Sequence, residues 1–172
     1  YNDIEILEQS LQDPNVCAFM IEPIQGESGV IIPEPGYLKH VEKICNKYNV
    51  LFIADEIQTG LGRTGKLLAC DHEDVRPDIL ILGKALSGGV VPISAVLADN
   101  EVMLCIQPGE HGSTFGGNPL ACKIAQTAVQ VLLEEDMCKN SEIMGTLFRN
   151  ELQKEEYGMI KEIRGRGLLN AI

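Results

Sequence analysis

The chain has 172 residues, and 14 lysines and arginines stand against 25 aspartates and glutamates, which gives a formal net charge of −11. This acidic balance excludes a binder of nucleic-acid phosphates, because counterion displacement requires a basic surface. Hydrophobic residues make up 45% of the chain, as in ordinary globular proteins. Since no apolar run approaches the ~20 residues of a membrane span, we expect neither a nucleic-acid nor a membrane partner.

Short apolar runs alternate with helical patterns along the first half of the chain. Residues 1–14 predict a short helix, capped by Asn2 or Asp3 and ended by Pro14. Another helical repeat covers residues 38–48. The apolar runs lie at residues 16–21, 50–54 and 79–82. Short unbroken runs of this kind indicate strands buried on both faces, so the sequence predicts an α/β fold with a mostly parallel sheet.

The apolar run at residues 93–97 follows the preceding strand too closely for a helical crossover. We therefore expect it to pair as one antiparallel strand in the otherwise parallel sheet. Asn118 and Pro119 then supply the cap and first residue of a long helix. A second helix is expected from about residue 136 to about residue 155.

The charge pattern changes near residue 136, and residues 163–167 look like a turn into a strand of another domain. We therefore expect residues 1–135 to be part of a large domain and residues 136–172 to be the truncated start of a smaller C-terminal α+β domain. Because the chain lacks an initiator methionine and ends inside an apolar run, we interpret it as an internal piece of a longer protein.

Polar residues close three of the predicted strands. Glu22 follows the first strand, Asp55 and Gln58 follow the second, and Lys84 follows the third. Ligands of open α/β sheets bind beyond the carboxyl ends of parallel strands, so these side chains should converge on one crevice. A partly desolvated lysine favours the neutral amine that attacks carbonyl groups, and a neighbouring carboxylate can hold a protonated heterocyclic nitrogen. Such a pair serves pyridoxal-phosphate chemistry, although a structural ion pair between Asp55 and Lys84 fits the spacing equally well.

Three loop segments admit more than one interpretation. Residues 60–66 match two nucleotide-binding motifs, but the helix that one requires and the Ser or Thr that the other requires after Lys66 are both missing. We expect a flexible loop at the mouth of the crevice, with a nucleotide-binding α/β domain as the alternative. Residues 111–118 form a polar turn that suits phosphate oxygens but also fits a plain turn. Residues 70–73 hold four adjacent metal-ligand types, which cannot all face one ion, so we expect a solvated loop and no metal site.

The six cysteines are spread along the chain without a CxxC pair. Disulfide frameworks and metal sites usually show clustered cysteines, so we expect reduced thiols in an intracellular protein. We expect the cytoplasm as the compartment, with the mitochondrial matrix as the alternative.

Four of these segments together resemble the class-III pyridoxal-phosphate aminotransferases, in the same order and at compatible spacings. They are residues 22–27, 54–66, 83–89 and 111–119. The resemblance implies a fold-type-I transferase that binds pyridoxal 5'-phosphate and forms a homodimer with a shared active site. It also implies amino-acid and 2-oxo-acid substrates, with the δ-amino group of L-ornithine passing to 2-oxoglutarate to give glutamate 5-semialdehyde and glutamate. Acetylornithine and 4-aminobutyrate are the alternative donors, and a non-catalytic module of the same fold is a further alternative.

The resemblance also assigns four residues to the cofactor. Lys84 matches the lysine that binds the cofactor covalently and then moves a proton between substrate and cofactor. Asp55 matches the carboxylate that keeps the pyridine nitrogen protonated. Gln58 matches the residue near the phenolic oxygen, and Ile57 matches the apolar side chain against one face of the ring.

Four more residues are assigned to the neighbouring subunit and the substrate. Ser113 and Thr114 match the turn that reaches the cofactor phosphate of the other subunit. Glu27 matches the acid that pairs with an arginine and controls which carboxylate-bearing substrate is accepted. Glu22 belongs to the same strand-end motif and is expected to support the pocket.

Overall fold

The computed structural model describes residues 1–154 and 157–172. Two short 3-10 helices cover Ala69–His72 and Lys84–Ser87. The other elements are α1 (Ile4–Ser10), β1 (Ala18–Ile21), α2 (Tyr37–Tyr48), β2 (Leu51–Asp55), β3 (Ile79–Leu82), β4 (Ala95–Ala98), α3 (Asn100–Met103), α4 (Pro119–Glu134), α5 (Met137–Gln153), β5 (Arg164–Arg166) and β6 (Leu169–Ala171).

Four strands form the main sheet in the order β1-β2-β3-β4. The pairs β1-β2 and β2-β3 are parallel, whereas β3 and β4 are antiparallel, with Leu82 opposite Ala95. The predicted α/β fold with one antiparallel strand is therefore confirmed. The physical reason is the short connection between β3 and β4, which has no room for the crossover that a parallel pair requires.

The main hydrophobic core lies between the sheet and the helices α1 and α2. Val41 of α2 and Phe52 and Ala54 of β2 are fully buried in it. Helix α1 begins as predicted, because the N–H of Ile6 donates to Oδ1 of Asp3 at 2.9 Å. This packing fixes the strands whose carboxyl ends carry the predicted crevice.

The C-terminal hairpin of β5 and β6 packs against α5. Nη1 of Arg149 donates to the carbonyl of Gly167 at 3.0 Å and to Oδ1 of Asn170 at 2.7 Å. Arg164 also donates through Nε to the carbonyl of Gly29 at 2.8 Å, which ties the hairpin to the loop after β1. The division of the chain near residue 135 stays a prediction. Among the described residues, no helix is both long enough and apolar enough to cross a membrane.

The glycine-rich segment 60–66 differs from the expected flexible loop at the crevice mouth. Thr64 is fully buried, and the carbonyl of Arg63 accepts hydrogen bonds from Oγ of Ser141 at 3.0 Å and from the N–H of Leu168 at 2.9 Å. Buried backbone groups need partners, and here α5 and the hairpin supply them. The segment is therefore a packed junction between distant parts of the chain.

The solvated loop expected at residues 70–73 is also wrong. Cys70 is fully buried, and the segment forms most of a 3-10 helix, whose start is fixed by a 2.9 Å bond from the N–H of Leu68 to Oδ2 of Asp71. The apolar neighbours Leu68 and Ala69 draw this segment into the interior. Over residues 1–154 and 157–172, no three histidine, cysteine or acidic side chains are grouped so that they could hold a metal ion.

The buried thiols give a prediction about reactivity. Burial, with a smaller contribution from Asp78, raises the pKa of Cys45 to about 11, and burial beside Glu56 raises the pKa of Cys70 as well. Because the thiolate is the reactive form, we expect neither thiol to be alkylated by iodoacetamide at pH 8 in the native full-length protein. Peptide mapping after labelling in guanidinium should find both modified, and rapid labelling under native conditions would contradict the burial described here.

Candidate active site

The carboxyl ends of β1, β2 and β3 lie side by side and bring the predicted polar residues to one edge of the sheet. Ile21 is paired with Ala54, so Glu22 stands level with Asp55 on the next strand. Asp55 is in turn paired with Ile81, and Lys84 follows three residues later. The parallel register therefore places these groups at the edge where open α/β sheets bind their ligands.

Asp55 is half-buried and keeps one carboxylate oxygen available. Its Oδ1 accepts the N–H of Ile57 at 3.0 Å, which fixes the turn after β2. Within the part of the chain that the structure describes, Oδ2 accepts no hydrogen bond. A carboxylate with one oxygen held and the other free is positioned to bind a cationic group.

Lys84 lies immediately after Gly83 and begins the second 3-10 helix with a φ of 40°. This left-handed conformation is rare for a residue with a side chain and costs about 1–3 kcal/mol, and it is typical of functional sites. The expected desolvation is not found, because Lys84 is exposed. The structure also contradicts the alternative of an ion pair, since none of the pairs among residues 1–154 and 157–172 joins Asp55 to Lys84.

A cavity of about 510 Å³ adjoins Lys84. Its other walls come from residues 92–94 before β4, from residues 115–118 of the glycine-rich turn and from Ala121 of α4. The turn and Lys84 therefore line the same space. Ser113 and Thr114 lie on the exposed part of this turn and do not line the cavity, and Oγ of Ser113 accepts the N–H of Gly116 at 2.9 Å.

Gln58 joins the turn after β2 to the loop after β1. Its Nε2 donates to Oε1 of Glu27 at 2.9 Å. Oε1 of Gln58 is buried and has no hydrogen-bond partner among the described residues. In the same loop, Oε2 of Glu22 accepts the N–H of Gly26 at 2.9 Å. The arginine expected beside Glu27 is not among its partners, because no ion pair of the described residues includes Glu27.

Ile57 is positioned by the absence of a side chain at Gly83. A Cβ built on Gly83 would lie 3.3 Å from Cγ2 of Ile57, which is tighter than ordinary packing. The half-buried Ile57 therefore lies next to the residue that precedes Lys84. This neighbourhood agrees with an apolar side chain at one face of a planar ligand.

Glu56 belongs to none of the roles expected from the sequence, yet it is only 1% exposed. Its carboxylate accepts hydrogen bonds from Oγ1 of Thr59 at 2.5 Å and from the N–H groups of Ala69 at 2.9 Å and Cys70 at 2.8 Å. Successive side chains along an extended segment point to opposite sides, so Asp55 and Glu56 face opposite sides of the chain at the end of β2. This alternation could have been used to predict that Glu56 points away from the side that carries Asp55 and has a structural role.

Replacing Glu56 with alanine should destabilise the protein. Three donors would lose a charged acceptor, so we expect the free energy of unfolding to fall by about 3 kcal/mol. A urea titration should show a lower midpoint, and amide exchange at Ala69 and Cys70 should become faster. The exposed Glu135 offers a matched control, since Glu135→Ala should leave both measurements unchanged. Equal midpoints for the two variants would contradict this role of Glu56.

The fold and the site define an α/β protein with a lysine and a carboxylate at the carboxyl ends of neighbouring strands. Residues 1–172 match the family described as aminotransferase class-III. The chain belongs to this family.

Individual relatives agree with the family assignment. The mitochondrial ornithine aminotransferase of Drosophila melanogaster is 63% identical over 172 residues, which are 100% of this chain and 40% of that protein. The ornithine aminotransferase of Toxoplasma gondii, solved with pyridoxal phosphate at partial occupancy in its active site, is 60% identical with a TM-score of 0.96. That match covers 99% of this chain and 41% of the other. The acetylornithine aminotransferase of Elizabethkingia anophelis is 58% identical with a TM-score of 0.95, over 99% of this chain and 43% of the other. The chain thus spans about two fifths of the length of the relatives it matches.

Proposed function

We propose that the protein containing this chain is an ornithine aminotransferase. It uses pyridoxal 5'-phosphate to move the δ-amino group of L-ornithine to 2-oxoglutarate, giving glutamate 5-semialdehyde and glutamate. The observation that carries the proposal is the placement of Lys84 and Asp55 at one sheet edge in a chain 63% identical to a named ornithine aminotransferase.

The residues at this edge fit the cofactor. Oδ2 of Asp55 is available for the pyridine nitrogen, and the amide of Gln58 has a second N–H for the phenolic oxygen. Ile57 adjoins Gly83 and supplies an apolar surface for one ring face, and Lys84 lies at a cavity large enough to admit a ligand. When bound, pyridoxal phosphate supplies an electron sink for the negative charge that develops at the substrate carbon.

Two side chains of this chain then take part in the reaction. The amine of Lys84 would hold the cofactor covalently, and the same amine would move the proton at the substrate carbon that bears the amino group. The carboxylate of Asp55 keeps the pyridine nitrogen protonated, since a nearby opposite charge favours the charged form.

Substrate selection, assembly and compartment complete the proposal. Glu27 selects the carboxylate-bearing substrate, and Glu22 supports its loop by holding the N–H of Gly26. The protein is a homodimer in which Ser113 and Thr114 reach the cofactor phosphate of the other subunit, and the exposure of this turn supports that role. The mitochondrial matrix fits better than the cytoplasm, because the Drosophila relative is named mitochondrial.

An amino-donor comparison tests the proposal. We expect the full-length protein loaded with cofactor to convert L-ornithine with 2-oxoglutarate at a kcat/KM far above those for N-acetylornithine and 4-aminobutyrate. The second candidate is an acetylornithine aminotransferase, which the Elizabethkingia structure favours at 58% identity. A preference for N-acetylornithine would establish that candidate, and inactivity towards all three donors would refute both.

A further inference from the structure

The contact between Gln58 and Glu27 connects the two parts of the site. Glu27 lies on the loop after β1, and Gln58 lies on the turn after β2, 31 residues later in the chain. Their side chains meet at 2.9 Å, from Nε2 of Gln58 to Oε1 of Glu27. A group expected at the substrate therefore touches a group expected at the cofactor.

This contact decides which way the amide of Gln58 faces. The terminal torsion of a glutamine is broad and roughly two-fold, so its oxygen and nitrogen can exchange places at little torsional expense. An ionised carboxylate only accepts hydrogen bonds, so Glu27 selects the orientation with Nε2 towards itself. The opposite end, Oε1 of Gln58, is consequently buried without a partner among the described residues.

The oxygen of the Gln58 amide lies against the backbone of Gly26. A Cβ built on Gly26 would fall 1.3 Å from Oε1 of Gln58, so the amide lies directly against the bare backbone. Glu22 fixes that backbone by accepting the N–H of Gly26 at 2.9 Å. A buried acceptor without a partner is unfavourable, and the hydrogen bond from Nε2 to Glu27 is the contact that holds the amide in this orientation.

We propose that Glu27 is a positioning residue for Gln58, so that the acid that selects the substrate also sets the hydrogen bonding at the phenolic oxygen of the cofactor. The inference rests on the proposed function. Holding Nε2 towards Glu27 also fixes where the second N–H of the same amide points. Without Glu27 the amide can turn over and present its oxygen where an N–H is needed.

A double-mutant cycle tests this coupling in the full-length protein. The variants are Glu27→Ala, Gln58→Ala and the double variant. The measurements are the affinity of the apoenzyme for pyridoxal phosphate and, without substrate, the ratio of the two absorption bands of the bound cofactor at fixed pH. We expect Glu27→Ala to weaken the affinity and change the ratio by roughly threefold, and to have little further effect once Gln58 is alanine.

Two further variants separate positioning from general damage. Gly26→Ala should change the band ratio in the same direction, because its methyl group displaces the end of Gln58 while both partners remain present. Glu34→Ala removes an exposed carboxylate of the same loop and should change neither measurement.

The outcomes are distinguishable. If the effects of Glu27→Ala and Gln58→Ala multiply to within about twofold, the coupling is refuted while the proposed function stands. If the unsubstituted protein shows no cofactor absorption after loading, the proposed function itself fails and the coupling fails with it.

Discussion

Lys84→Ala is expected to abolish transamination, with a loss in kcat of about 10⁴-fold or more, because the proposed function assigns to one amine both the binding of the cofactor and the transfer of the proton. The full-length protein would be assayed with L-ornithine and 2-oxoglutarate at saturating cofactor. Borohydride reduction of the unsubstituted protein, followed by peptide mapping, should place a pyridoxyl group on Lys84. The fold should persist, since the exposed side chain of Lys84 contributes little packing.

Lys66 provides the matched control and tests the nucleotide alternative at the same time. It is an exposed lysine in the glycine-rich segment 60–66, so Lys66→Ala should keep the activity and the adduct on Lys84. A silent Lys84→Ala combined with loss of nucleotide binding in Gly62→Ala would instead support a nucleotide-binding domain. A pyridoxyl adduct on another lysine would show that Lys84 is not the lysine that binds the cofactor.

The mostly parallel sheet with one antiparallel strand could be predicted because it depends on local signals. Buried strands appear in the sequence as short apolar runs, and each run here is followed directly by its polar residue. The antiparallel β4 followed from a chain-length argument, since the connection after β3 is too short for a crossover. The position of each residue at a strand end is therefore enough to expect Asp55, Gln58 and Lys84 at one edge of the sheet.

The packing of the loops could not be predicted, because it depends on residues far away in the chain. Oγ of Ser141 bonds the carbonyl of Arg63 across 78 residues, and glycine content alone made that segment look flexible. A solvated loop is expected at residues 70–73 because four adjacent side chains cannot all face one metal ion, whereas in the structure the N–H of the buried Cys70 donates to Glu56. Hydrogen bonds between residues so far apart in the chain produce no periodic pattern in the sequence.

The exposure of Lys84 is another feature that could not be predicted from the sequence. A lysine after an apolar strand was expected to be partly desolvated, but the structure places it at an open cavity. Its backbone is left-handed at φ 40°, and no pattern of residues in the sequence predicts that conformation. The strand and the lysine were predictable, whereas the local backbone that joins them was not.

Asp55→Asn is expected to lower kcat by about 10²- to 10³-fold, the range found when one preorganised electrostatic partner is removed. The asparagine oxygen can still accept the N–H of Ile57, so the turn after β2 should keep its shape and the protein its stability. A neutral side chain cannot hold the proton on the pyridine nitrogen, so the electron sink weakens. Steady-state kinetics with L-ornithine measures the loss, and a urea titration checks the stability.

The charge argument for Asp55 can be separated from a general disturbance of the site. Loading the Asp55→Asn variant with a cofactor methylated at the pyridine nitrogen supplies the positive charge permanently and should restore part of the activity. Asp74→Asn replaces an exposed aspartate outside the site and should change nothing. If the methylated cofactor restores no activity, or if Asp55→Asn retains full activity, Asp55 does not act through the ring nitrogen. Restoration limited to Asp55→Asn would assign the missing charge to that nitrogen.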